Sequence, residues 1–305
     1  MKKNLTILCY HGVTKIRDQK GIENFSGKHL FFKEFEKQIK SLKRKNCKFL
    51  NFDEVVYKIE NNSPFEKKSI CITFDDGFKN NFEVAAPILK RNNIPAIFFL
   101  CPLNIEKQEM FWVDKIEDCI NRTNKKEITI NLNKKRKFLI RSKKDKKKCI
   151  NKIKNFCKNT KYFKKDKIID QLIKKTCIIP SIKSSQNYHL ANWKILKKTL
   201  KNKLFSIGGH SLCHDIYSNL DDIEIEKNIK GTKKLIKKNL NYSIKYFSYP
   251  EGQINHFNKT TIKELKNNGI KSCPTAIKGK NSHKENLFYL KRIMVGFNNT
   301  KMPTI

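Results

Sequence analysis

Glycine, proline and tryptophan are scarce in this chain: 11, 8 and 2 among 305 residues. That excludes collagen-like and Pro/Gly-rich low-complexity architectures. Acidic residues are also few, with 28 Asp+Glu against 66 Lys+Arg, for a formal net charge of +38. Within the basic set arginine is rare, confined to positions 17, 44, 91, 122, 136, 141 and 292. Nucleic-acid readers lean on arginine and on interleaved aromatics. No helix-turn-helix, zinc-finger or RNA-recognition signature appears, so no specific nucleic-acid partner is expected. Lysine is spread over the whole sequence, which reads as a compositional bias on solvated faces. A field this positive still attracts anions at low salt, an anionic membrane surface among them. No run of 18 apolar residues occurs, which excludes a membrane-spanning helix. The opening Met1-Lys2-Lys3-Asn4-Leu5-Thr6-Ile7-Leu8 lacks a long apolar stretch and a small-residue cleavage site, so no secretory signal is expected. None of the ten cysteines forms a CxxC pair, which excludes a Cys-rich zinc module. Several lie in apolar runs such as Ile70-Cys71-Ile72 and act as small hydrophobes. Reduced thiols without a signal predict a cytoplasmic protein.

What is present is enough apolar sequence, 38%, for a folded core. The first third alternates strand and helix signals. Leu5 to Tyr10, Lys48 to Leu50, Ser69 to Phe74 and Ala96 to Leu100 read as strands, mostly buried. Phe31, Phe32, Phe35, Ile39 and Leu42 recur at helical spacing, with further helices at Asp53 to Ile59 and Phe78 to Arg91. Buried strands separated by amphipathic helices imply parallel βαβ units. Residues 103–190 differ: Lys-rich, weakly periodic segments predict a helical insertion packed on an α/β body, within a single domain spanning 1–305. The alternation then resumes with a helix at Trp193 to Leu200 and a strand at Leu204 to Ile207. A helix at Ile223 to Leu240, a strand at Ile244 to Tyr249, a helix at Lys259 to Asn268 and a strand at Leu290 to Val295 complete it. Gly269 suits a left-handed cap.

Two constellations carry chemistry. Asp75 and Asp76 follow the Ser69-to-Phe74 strand directly, at the end where parallel α/β folds gather ligands. Adjacent carboxylates repel and resist desolvation unless a cation or proton relieves them; a helix N-cap explains one aspartate but not both. His210 and His214, separated by Ser211-Leu212-Cys213, follow another apolar strand. The i, i+4 spacing converges on one side of a helical turn and is a metal-ligand spacing, though surface histidines also meet it by chance. Taken together, the motifs outline an Asp-His-His site with open positions, the mark of a catalytic metal.

Phe74-Asp75-Asp76-Gly77, His210-Ser211-Leu212-Cys213-His214 and Phe247-Ser248-Tyr249-Pro250-Glu251-Gly252 resemble, in order, three motifs of the polysaccharide deacetylases of the NodB-homology type (carbohydrate esterase family 4). The resemblance extends over most of residues 4–100 and 190–296. It implies a distorted (β/α)7 barrel and metal-dependent removal of N-acetyl groups from sugars of a surface polysaccharide or its precursor. By position it implies that Asp76, His210 and His214 bind a divalent metal, usually zinc, and that Asp75 is the general base. Tyr249, Pro250 and Glu251 would form the substrate and oxyanion wall, with the Glu251 backbone N–H as donor. Two departures stand out. Ser248 occupies the place of an arginine that pairs with the catalytic aspartate, and Glu251 the place of a common tyrosine. A late Leu-x-His motif is missing, but Leu8-Cys9-Tyr10-His11-Gly12-Val13 is similar to a subgroup that carries it at the start of the chain, which implies His11 as general acid. Arg292 is open between an active-site carboxylate and the surface, and Phe111-Trp112 between sugar stacking and the core. The same site could instead cleave a non-carbohydrate C–N bond, or the fold could serve as a catalytically weak binder of glycan or anionic lipid.

Overall fold

A computed structural model describes residues 4–297 and 302–303 of the chain; the basic opening Met1-Lys2-Lys3 lies outside the described residues. A parallel sheet runs in the order Ile293–Met294, Leu5–Tyr10, Ser69–Phe74, Ala96–Leu100, Phe205–Gly209. Lys48–Phe49 pairs with the start of the Ser69–Phe74 strand, off that path. Parallel bridges carry the ladder on from Gly209 to Phe247 and from Tyr246 to Ser272. Backbone bonds from Thr275 to Leu290 (2.8 Å) and from Arg292 to Ile277 (2.9 Å) lead back to the first strand. Seven parallel segments thus follow one another around a distorted barrel. Three of them are short: Tyr246–Phe247, the stretch from Ser272 to Ile277, and Ile293–Met294. The expected strands at Ile244 to Tyr249 and Leu290 to Val295 shrink to a bridged pair and to Ile293–Met294.

The long strands are buried on both faces, as a parallel sheet requires. Their alternation divides the core. Ile7, Cys71, Ile97, Phe99 and Tyr246 share one apolar cluster with the helix Phe52–Glu60. Leu8, Ile70, Ile72, Phe74 and Phe98 belong to another, packed under helices such as Phe32–Arg44, which buries Phe35, Ile39 and Leu42. Gly208 sits where backbone meets backbone: a Cβ there would lie 2.6 Å from the Tyr246 carbonyl oxygen and as close to the Phe99 ring. The expected Phe78-to-Arg91 helix forms only in part. A π-helical turn at Asn81–Ala85 precedes Ala86–Arg91, because Pro87 offers no N–H to the ordinary ladder. Gly269 takes φ +73, as its capping position predicts. No helix among the described residues is long and apolar enough to cross a membrane.

The reading of residues 103–190 as helical needs correction. Helices Trp112–Arg122, Lys143–Lys158 and Tyr162–Thr176 are present, but Glu127–Leu132 and Lys134–Leu139 form an antiparallel hairpin. Glu127–Leu132 buries every second residue, Ile128, Ile130 and Leu132. Its outer face, Glu127, Thr129 and Asn131, is polar, which is the alternation of a half-buried strand. The insertion has an apolar cluster of its own, built on Ile116, Ile120, Ile130, Ile150, Ile153 and Leu172.

Candidate active site

Strand register brings the first of the candidate residues together. Tyr10 lies opposite Phe74, so His11 and Asp75 leave the sheet side by side, and the Asp75 N–H donates to the Tyr10 carbonyl at 2.9 Å. Leu100 lies opposite Gly209, and the His210 N–H donates to the Leu100 carbonyl at 2.8 Å. Ends of parallel strands face the same rim, which brings residues 200 positions apart in sequence into one cavity of about 590 Å³. His11, Asp75, Asp76, His210, His214, Tyr249, Glu251 and Arg292 line it.

Asp76 Oδ1 lies 3.5 Å from Nε2 of both His210 and His214. One donor atom from each of the three residues falls within 4.8 Å of the others, and all three residues are buried. The convergence of His210 and His214 does not come from a helix. Residues 211–214 form an irregular turn in which Ser211 (φ +60) and His214 (φ +63) are left-handed. Side-chain bonds hold it: the Ser211 hydroxyl accepts the Asp215 N–H at 2.7 Å, and Asn228 Oδ1 accepts the Leu212 N–H at 2.9 Å. Asp76 has φ +76, and the Gly77 N–H donates to the Asp75 carbonyl at 3.0 Å, which makes Asp76 the centre of a γ-turn. A non-glycine residue there is strained, of the kind that folds retain at functional positions.

The protonation states suit a cation. Nδ1 of His210 lies 2.8 Å from the Ser248 carbonyl, so it carries the proton and Nε2 presents a lone pair toward Asp76. Burial pushes the imidazoles of His210 and His214 below their ordinary range, so both are neutral. Burial, with the Asp75 charge behind it, pushes the Asp76 carboxyl well up. Asp76 Oδ1 and His214 Nδ1 have no hydrogen-bond partner among the described residues. A buried carboxylate oxygen without a partner beside two neutral imidazoles is a donor set that a divalent ion fits.

Asp75 is held differently. Arg292 grips it with a two-pronged bond, Nη1 to Oδ1 and Nη2 to Oδ2, each 2.8 Å. The same guanidinium donates to the Thr275 carbonyl (2.7 Å) and to the Ser248 hydroxyl (2.8 Å). Burial raises the Asp75 carboxyl, but Arg292 and His210 outweigh it and leave it well below the usual carboxylate range. Arg292, whose role the sequence left open, therefore supplies the cation that Ser248 does not. His11 is neutral as well: burial pushes its imidazole down to about 3. The Tyr249 ring stacks on Phe257 at 3.9 Å. Glu251 (φ +60) centres a second γ-turn, closed by the Gly252 N–H on the Pro250 carbonyl at 2.7 Å.

Sugar stacking by Phe111 and Trp112 finds no support, because both rings are buried and neither lines this cavity. Phe111 packs against Phe78 and His214 instead. Residues that sequence reasoning missed complete the wall. His256 lines it from the barrel, and Glu117, Lys154 and Lys158 come from the insertion. Lys28 pairs with Asp114 of the insertion, whose charge keeps it protonated against the effect of burial. No local motif marks these positions; they meet only where the insertion folds over the rim.

Residues 62–134 and 154–273 match the family model described as polysaccharide deacetylase. The chain belongs to the polysaccharide deacetylase family. The poly-beta-1,6-N-acetyl-D-glucosamine N-deacetylase of Staphylococcus aureus is 34% identical over 119 residues, 36% of this chain and 40% of that protein. Its namesake in Staphylococcus epidermidis is 34% identical over 109 residues, 32% of this chain and 36% of that one. The chain thus spans about two-fifths of the length of the curated relatives it matches. Among solved structures, the deacetylase PplD of Streptococcus pyogenes in complex with acetate superposes with a TM-score of 0.64 at 18% identity, covering 99% of this chain and 96% of that one. IcaB from Ammonifex degensii superposes at 0.62 with 16% identity, covering 96% and 92%. These structural likenesses establish the shared fold.

Proposed function

We propose that this chain is a divalent-metal-dependent hydrolase that removes N-acetyl groups from the sugars of a poly-N-acetylglucosamine-type glycan. One observation carries the reading: donor atoms of Asp76, His210 and His214 converge within 4.8 Å, beside the Arg292-gripped carboxylate of Asp75. Two imidazoles and a carboxylate are a donor set suited to zinc with a position left open. An ion bound there supplies Lewis acidity and lowers the pKa of a water molecule.

The remaining steps belong to the chain itself. Asp75, kept ionised by Arg292, takes the proton of the attacking water. A carboxyl held so low does not retain a proton, so it passes it on. His11, neutral at rest and on the same rim as Asp75, takes up the proton and delivers it to the departing amine. The Glu251 N–H, in the turn after Pro250, holds the oxyanion that develops on the amide's carbonyl oxygen. The names of the staphylococcal relatives support an acetylated glucosamine polymer as substrate.

The test is acetate release from N-acetylglucosamine oligomers after chelation and zinc add-back, with zinc uptake measured in parallel. Asp76→Asn and His210→Ala are expected to lose both. Undiminished acetate release in these variants would refute the reading.

A further inference from the structure

Glu251 stands where a lone carboxylate would work against the reaction proposed above. Its backbone N–H is the oxyanion donor, so its side chain begins within one residue of a developing negative charge. Like charges repel strongly in a low-dielectric cavity. The Glu251 charge is felt at both Asp76 and His210, and its backbone is fixed at φ +60.

The opposite charge comes from the insertion. Lys158 Nζ lies 2.7 Å from Glu251 Oε2, and the two side chains are only 30% and 19% exposed. Lys158 is the last residue of the helix Lys143–Lys158, and its carbonyl accepts a bond from Asn219 Nδ2 at 2.9 Å. The helix end is thereby tied to two barrel loops, one following the His214 turn and one following Pro250. Lys154, one turn earlier, faces Glu117 at 3.9 Å instead.

We infer that Lys158, delivered by the insertion, neutralises Glu251 so that the oxyanion forms beside an ion pair rather than beside a bare carboxylate. This rests on the deacetylase reading and gives the insertion a part in the barrel's chemistry. Lys158 touches no reacting atom; it acts through Glu251. Because the repulsion it removes exists only once charge develops, its loss falls on turnover more than on substrate binding.

The test compares wild type, Lys158→Met and Lys158→Met/Glu251→Gln on N-acetylglucosamine oligomers. In Lys158→Met, kcat is expected to fall about tenfold with KM changed less than about twofold. Adding Glu251→Gln removes the uncovered charge, and kcat returns to within about threefold of wild type. A purely structural tie gives the reverse, since the double variant lacks both halves and stays as slow as the single one. A second readout is independent of turnover: zinc titrated into the metal-free protein. Lys158→Met is expected to bind zinc about threefold more tightly, because a negative charge near the ligands is uncovered, and the double variant to match wild type. Unchanged kcat in Lys158→Met, or no recovery in the double variant, overturns the inference. If wild type releases no acetate, the deacetylase reading fails instead, and the order of the zinc affinities decides the neutralisation by itself.

Discussion

Replacing Arg292 by Met tests the electrostatic centre of the site. The substitution strips Asp75 of two 2.8 Å bonds in a place where both side chains are almost wholly buried. Breaking a buried pair from one side leaves an uncompensated charge, at a cost of about 3–5 kcal/mol. That is a large part of the 5–15 kcal/mol that holds a typical domain together, by order of magnitude. Burial is then the dominant influence on Asp75, and its carboxyl moves from well below the ordinary range to above it. The sign follows. In wild type the depressed carboxyl contributes stability that is full above the unfolded-state value of about 3.9 and lost as pH falls through the range below it. In the variant the raised carboxyl destabilises at neutral pH, and that penalty shrinks on acidification. The stability gap between the two proteins, from urea unfolding at pH 7.5 and pH 5, is therefore expected to narrow at the lower pH. The acid limb of kcat/KM for acetate release shifts upward in parallel. Adding Ser248→Arg returns a guanidinium from a hydroxyl position already 3.4 Å from Asp75 Oδ2, and part of the shift should reverse. A gap independent of pH, with an unmoved acid limb, would refute the reasoning.

Two further outcomes are expected. His29 is buried, and burial holds its imidazole well below the ordinary value, so below a pH of about 6.5 the unfolded state binds its proton first. Stability then falls with acidification by about 1.4 kcal/mol per pH unit for this residue; urea unfolding of His29→Asn between pH 6 and pH 5 should show a slope flatter by that amount, and an equal slope would contradict it. Gly208→Ala places a methyl 2.6 Å from a backbone oxygen and an aromatic ring. It should lower stability by about 1–3 kcal/mol, and a variant as stable as wild type in the same assay would show that the strands have room to part.

The fold was legible where buried strands announce themselves. Ser69–Phe74 and Ala96–Leu100 are short apolar runs that end at Asp75 and Cys101, and their bounds were readable to the residue. The hairpin at residues 127–139 was not: Ile128, Ile130 and Leu132 alternate in its first strand, but the partner Lys134–Leu139 buries Phe138 alone and carries no period of two. The i, i+4 spacing of His210 and His214 pointed to the right convergence for the wrong local reason: two left-handed residues, not a helical turn, aim the rings.

Sequence by itself determined which residues could carry the chemistry, because Asp-Asp and His-x-x-x-His after buried strands are local patterns and parallel strands deliver such positions to one rim. Tertiary structure alone decided which charges face each other. Arg292 reaches Asp75 over a sequence separation of 217, and Lys158 reaches Glu251 from the insertion. Pairing between distant charges depends on where whole elements come to rest, and no short window of sequence contains that information.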